Sequence, residues 1–246
     1  FNACGLNFVD NFIYCRGLDD TDSNGNKQLL RLDCAGGTAC YLGSLGSTTF
    51  AANFDPLNGD YVMTNEREIT IVKDVNQLPC LGSPGGLLKD VTTVDTIPQT
   101  WGKGSTPQIS IADLMVLDLP ALDPNFPTTG GQSWLIGCVD GAANNNQVYI
   151  QSLTDELLNY FLVMTDPMTG APLAPNLGGA SGAQWQFKTS LFCAYNHPPP
   201  GGVYELDLTQ IVLPTLPNLG PAGATGTIPA ARVSDSDKTN SNDGLN

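Results

Sequence analysis

Four times along the chain, a short β-rich run is followed by a turn-forming loop and a second run that alternates apolar with polar residues. Residues 12–15 (FIYC) lead through a polar loop to 29–33 (LLRLD), and 61–64 (YVMT) lead through Asn65-Glu66-Arg67 to 69–72 (ITIV). Residues 134–138 (WLIGC) lead to 148–150 (VYI), and 191–194 (LFCA) lead to 203–207 (VYELD). A period of two, broken by Asn, Asp, Gly and Pro, predicts β-hairpins. Three of the hairpins follow runs rich in small residues: Ala3-Cys4-Gly5-Leu6-Asn7, Ala51-Ala52-Asn53-Phe54-Asp55 and Gly182-Ala183-Gln184-Trp185. Small side chains suit an inner strand crowded against a central axis. One inner strand plus an outer hairpin, recurring at roughly 50–75 residues, reads as an all-β, β-propeller-like repeat. A β-sandwich, which also strings hairpins together, is the alternative. The longest insertion between units lies at 80–103. Residues 152–161 fit either a short helix capped by Ser152 or Thr154, or the approach to a strand at 160–164.

Composition agrees with a turn-rich β protein: 27 Gly and 18 Pro in 246 residues, with charged residues at 14%. The 24 acidic residues outnumber the 10 basic ones, for a formal net charge of −14. Such a surface repels phosphate backbones, so nucleic acid is not an expected partner. No apolar run approaches the length of a membrane span.

Seven cysteines without a CxxC pair, beside a single histidine, argue for disulfides rather than zinc, and so for an oxidising compartment. With Phe1 at its start and no apolar leader, the sequence is expected to be a mature or excised secreted fragment. Cys34 and Cys40 enclose a flexible Ala-Gly-Gly-Thr-Ala loop and are the expected local bridge. Cys15, Cys138 and Cys193 hold equivalent places in three units, facing the same layer, and are expected to pair with Cys4 or with a neighbouring repeat unit.

Asp20-Thr21-Asp22-Ser23-Asn24-Gly25 matches the opening of a calcium loop, making Asp20, Asp22 and Asn24 the candidate metal ligands. The closing position carries Arg31 where a bidentate Glu is needed, and the sister loops lack the motif, so a plain hairpin loop is the favoured reading. Calcium is the one cofactor considered. His197 sits in a Pro-rich loop and has no catalytic partners in view, so no catalytic residues are assigned. No Asn-x-Ser/Thr sequon occurs; Pro198, Pro199 and Pro200, if hydroxylated, are candidates for O-linked sugar.

From residue 214 the chain becomes Pro/Gly/Ala-rich and then polar. The expected division is therefore a β domain over 1–213 and an extended tail over 214–246. Its prolines stiffen it, and Leu216, Leu219, Ile228 and Val233 are spaced along it. Such a tail is expected to dock on a neighbouring copy by strand addition.

The small-residue strand ending near Asn7, the hairpin opening at Val9-Asp10, and Arg31 and Asp33 in the following strand carry a resemblance. Residues 1–213 resemble a propeller-like repeat domain of extracellular and cell-surface proteins. The version with cysteines in the hairpin is similar to algal mastigoneme-like (flagellar-hair) glycoproteins. That resemblance implies a glycosylated extracellular subunit that assembles with copies of itself into a filament or surface appendage, and no enzyme activity. A secreted carbohydrate-binding or adhesion module, stacking sugars on Trp101, Trp134 or Trp185, is the alternative. A carboxylate-based hydrolase ranks below both.

Overall fold

The computed structural model describes residues 2–33, 35–45, 51–65, 67–101, 110–111, 113–119, 132–140, 145–154, 158–179, 181–196, 201–215 and 226–235. Among them the protein is all-β, with helical structure limited to three-residue 3-10 turns. The strands form four meanders. The first comprises β1 (Asn2–Asn7), β2 (Phe12–Thr21), β3 (Lys27–Asp33) and β4 (Thr38–Ser44). The second comprises β5 (Ala51–Phe54), β6 (Tyr61–Thr64), β7 (Glu68–Val72) and β8 (Val94–Pro98). After the two-residue β9 (Ser110–Ile111) comes the third: β10 (Met115–Asp118), β11 (Ser133–Asp140), β12 (Gln147–Ser152) and β13 (Asn159–Thr165). The fourth is β14 (Ser181–Phe187), β15 (Ser190–Tyr195), β16 (Gly202–Asp207) and β17 (Gly226–Ser234). All four hairpins read from the sequence are present as the central pairs of these meanders. No helix among the described residues is long and apolar enough to cross a membrane.

The chain divides into two compact units, Phe1–Pro98 and Gln99–Asn246. In the first, the leading strands of the two meanders, β1 and β5, pack together. The small residues there have a physical reason. A side chain at Gly5 would press on the ring of Phe54, which packs edge-on against Tyr14 and tilted against Tyr61 at centroid separations of 5.2 and 5.3 Å. The Tyr61 hydroxyl donates to the carbonyl of Ala3, tying the second meander to the first. Leu29, Leu42, Met63 and Val72 complete this core.

The second unit is built differently. Strand β17 runs parallel to β13 through Gly226–Pro229 and antiparallel to β16 from Ala230 onward, joining the third and fourth meanders into one sheet. The path β10-β11-β12-β13-β17-β16-β15-β14 curls until β14 returns to β10 and β11, a nearly closed barrel. Alternate residues point inward: Trp134, Ile136 and Cys138 from β11, Val148 and Ile150 from β12, with Leu162, Ile228, Leu206 and Cys193 continuing around. The Cys138–Cys193 disulfide links β11 to β15 through this interior.

A side chain closes the barrel. Strand β10 pairs with β11 as far as Ile136, and β9 resumes pairing at Val139, leaving a gap in the ladder. The buried amide of Gln184 fills it. Its oxygen accepts from the Cys138 N–H at 2.9 Å and its nitrogen donates to the Ile136 carbonyl at 3.0 Å. The Gln184 N–H in turn donates to Asp113, in the segment between β9 and β10, at 3.1 Å. Gly137 lies between those two bonds because any Cβ there would meet Ile111 at 2.2 Å.

Three sequence expectations need correction. The division of the chain falls after Pro98, not at 213. Within the expected tail, residues 226–234 belong to the domain instead, because β17 lies between β13 and β16 in the middle of a sheet; residues 216–225 and 236–246 are outside the described residues. The periodicity of β17 is short and built on small residues, with Gly226, Ile228 and Ala230 buried in alternation, which hid it among Pro and Gly. Pro229 is tolerated because it falls between the Thr227–Val212 bridge and the first β16 pair at Ala230, where no ladder donor is required. The 80–103 stretch is no mere insertion, since it contains β8 (Val94–Pro98), the outer strand of the second meander. The ambiguous 152–161 stretch leads into strand β13, and residues 155–157 are outside the described residues.

Gln184→Leu removes both amide bonds and leaves the Cys138 N–H buried without its acceptor, at about 1–3 kcal/mol. The expected outcome is a clearly lowered unfolding midpoint in chemical denaturation. An unchanged midpoint would mean that the amide does not close the barrel.

Candidate functional site

The aspartates follow one local rule. Asp10, Asp22, Asp33, Asp55, Asp166 and Asp207 each accept a hydrogen bond from the backbone N–H two residues on, at 2.8–3.1 Å. Asn7, Asn58, Asn65 and Asn176 do the same. These are Asx turns, in which a short carboxylate or amide satisfies a backbone donor that the tight reversal leaves unpaired. Six of the 24 acidic residues are thus engaged in turn chemistry.

The calcium candidate obeys that rule. One Asp22 oxygen accepts from the N–H groups of Asn24 and Asn26, and the other accepts from the Asn26 side chain at 3.0 Å. Those bonds, the Asn26 side chain foremost, hold the Asp22 carboxyl below the usual carboxylate range. Asn24 contributes its backbone N–H, and the Asp20 side chain lies outside the described residues. Arg31, at the loop's closing position, points elsewhere: it donates to the carbonyls of Asn76 and Leu78 and to the Cys80 sulfur, with its guanidinium over Phe12. Among the described residues no group of three or more His, Cys, Asp or Glu side chains is placed to hold a metal ion.

Cys40 is bonded to Cys80, which overturns the Cys34–Cys40 bridge. Cys40 stands opposite Arg31 on β4, and the 76–80 segment that Arg31 holds brings Cys80 to it. Short loop length was the wrong guide; the side-chain direction on β4 decides. Cys34 lies outside the described residues. Cys4 pairs with Cys15 across β1 and β2, and Cys138 with Cys193, as the equivalent positions suggested. The sugar candidates Pro198, Pro199 and Pro200, with His197, are likewise outside the described residues.

Of the three tryptophans, Trp134 is fully buried in the barrel. Trp101 is half-buried on the outer face of β13, donating to Asn159 at 2.9 Å and packing edge-on to Phe161. Trp185 differs. It sits on the outer face of β14 and stacks on Phe192 of β15 with centroids 5.3 Å apart and planes 5° from parallel. Phe187, two residues on, is 63% exposed and carries the Lys188 ammonium 5.3 Å from its ring centre. The sequence reading missed Phe187 and Phe192. Their signal was the run Gln184-Trp185-Gln186-Phe187, in which the buried member of the alternation is polar and the outward members are aromatic.

The first unit carries an exposed apolar end. The turn after β1 and the turn after β5 abut, the Val9 methyl lying where a Gly59 side chain would begin. Leu6, Phe8, Val9 and Leu57 are 46–51% exposed there. This unit also holds a groove of about 460 Å³ with Ser44, Met63, Glu68, Thr70 and Lys89 in its walls. A groove of about 310 Å³ in the second unit is lined by Ser190, Glu205, Asp207, Gln210 and Pro229. No family model, curated protein or solved structure matches the chain.

Asp22→Ala removes three hydrogen bonds that do not involve a metal. It should lower the melting temperature equally in calcium and in chelator. A loss seen only in calcium would make the loop a metal site.

Acid should act through the same caps. Hydrogen bonds depress the carboxyls of Asp22, Asp166 and Asp207, so their stabilisation is present above an ordinary Asp value of about 4 and is lost as pH falls through their folded values. Asp60 has the opposite sign: burial, with Asp55 and Asp74 nearby, raises its carboxyl, so falling pH stabilises through it. Replacing Asp22, Asp166 and Asp207 together by Asn keeps the turn acceptor and removes its titration. Its melting temperature should fall less between pH 5 and pH 2 than the parent's, with Asp60 common to both. Superposed profiles would contradict this role of the caps.

Proposed function

We propose that this chain is an extracellular structural subunit that associates with copies of itself in a filament or surface appendage, as the mastigoneme-like resemblance implies. The observation that carries the reading is the apolar end of the first unit. Leu6 at the end of β1, with Phe8, Val9 and Leu57 on the two abutting turns, stands half-exposed in a chain with a formal charge of −14. Apolar side chains gathered at one end favour a partner that removes them from water. The rigid setting also supports the reading. Disulfides staple β1 to β2, β4 to the 76–80 segment and β11 to β15, each type of bridge contributing typically about 2–4 kcal/mol and persisting outside the cell. The aspartates described above act as turn caps, which favours a structural role over a carboxylate-based hydrolase.

On this reading the connector is the 6–9 and 57 region, in place of a C-terminal tail. Because like-charged copies repel, added salt should strengthen association by screening while the apolar contact persists. Sedimentation and electron microscopy of the parent should reveal assemblies that grow with concentration and salt. Phe8→Asp combined with Leu57→Asp should leave monomers with an unchanged β-sheet circular dichroism spectrum. A parent that remains monomeric at high concentration and salt, or a double variant that assembles like the parent, would overturn the proposal.

A further inference from the structure

The outer faces of the barrel are treated unequally. Over β11–β13 the chain covers its own sheet: the Thr100 N–H donates to Gln151, Trp101 bonds Asn159 and packs on Phe161, and Ile111 lies over Gly137. Over β14–β17 the stacked aromatic pair stays partly open. In register, Trp185 faces Phe192, Phe192 faces Glu205, and Glu205 faces Ala231, one row running across four strands. The next row begins with Phe187 opposite Ser190 and continues to Asp207. The groove lined by Ser190, Glu205 and Asp207 continues the aromatic pair along the face.

We infer that this face binds a neutral, extended β-1,4-linked glycan. Sugar rings present apolar C–H faces that lie on aromatic planes, and hydroxyls that donate to carboxylates. The row supplies both, the face of Trp185 that Phe192 does not cover and then Glu205, whose carboxylate accepts from the Ser190 hydroxyl at 2.7 Å. Strands about 4.8 Å apart set the spacing of the row near the length of one sugar residue in an extended chain. A β-1,4 chain is a flat ribbon that can follow the row, whereas an α-linked glucan coils away from it. The formal charge of −14, with Glu205 and Asp207 in the face, disfavours anionic polysaccharides. Stacking on Phe192 holds Trp185 in one orientation, so little ordering entropy is lost on binding.

The test is calorimetric titration and tryptophan fluorescence of the full chain with cellohexaose and chitohexaose, alongside maltohexaose and a hexagalacturonate. Binding of at least one β-1,4 neutral hexasaccharide is expected, with a fluorescence change and little dependence on salt. Trp185→Ala should weaken it by about tenfold or more. Glu205→Gln, a conservative change on the same row, should weaken it while the melting curve stays that of the parent. Failure of both β-1,4 hexasaccharides at millimolar concentration, tighter binding of the maltohexaose or hexagalacturonate, or parent-like affinity in both variants would overturn the inference. Assembly of the chain is read separately, so neither result decides the other.

Discussion

In the second unit, the side-chain amide of Gln184 does the work of a missing stretch of strand. A peptide group and a glutamine amide present the same donor and acceptor, so Gln184 can bond the Cys138 N–H and Ile136 C=O that β9 and β10 leave between them. Without it, β14 would be an open edge and the interior around Cys138 would reach water. With it, β14 is held to β11 by side-chain bonds and to Asp113 by its own N–H. Trp185 and Phe187 project from the opposite face of that same strand. Closing the barrel and opening the aromatic face are therefore one alternation of one strand.

The same meander serves two architectures. In the first unit two sheets pack through their leading strands, and small residues at β1 admit Phe54 and the Tyr61 hydroxyl contact. In the second unit the outer strands of two meanders pair with each other, parallel, through β17. That pairing turns two separate sheets into one curved wall around Trp134, Leu162 and Leu206. The disulfides follow the difference. In the first unit Cys4–Cys15 ties adjacent strands, and in the second Cys138–Cys193 crosses the interior.

The central hairpins were legible in the sequence because β6, β11, β12 and β15 carry strong apolar or β-branched runs whose period is two. The fourth strands β4, β8 and β17 were not, and β13 was legible only as the alternative to a helix at 152–161. β4 opens on the exposed Thr38 and Ala39, and no residue of β8 is fully buried, so neither strand carries a clear apolar alternation. β17 packs Gly226, Ile228 and Ala230 against the barrel, and small residues leave no hydrophobic signature. Gln184 was invisible for a different reason. A glutamine among small residues reads as solvent-facing until the gap it fills is known. The aspartates misled in the opposite way, since a turn cap and a calcium ligand share the same Asp-x-Asn spelling. Only the partners of Asp22, backbone N–H groups and the Asn26 amide, separate the two.

The central claim is that residues 226–234 complete a barrel whose remaining seam is sealed by Gln184. Residue-resolved hydrogen exchange of the full chain tests it directly. The amides of Thr227, which donates to Val212, and of Cys138, which donates to Gln184, should exchange as slowly as those of β12 in the same unit. Exchange of Thr227 and Cys138 at the rate of an open chain, while β12 stays protected, would contradict it.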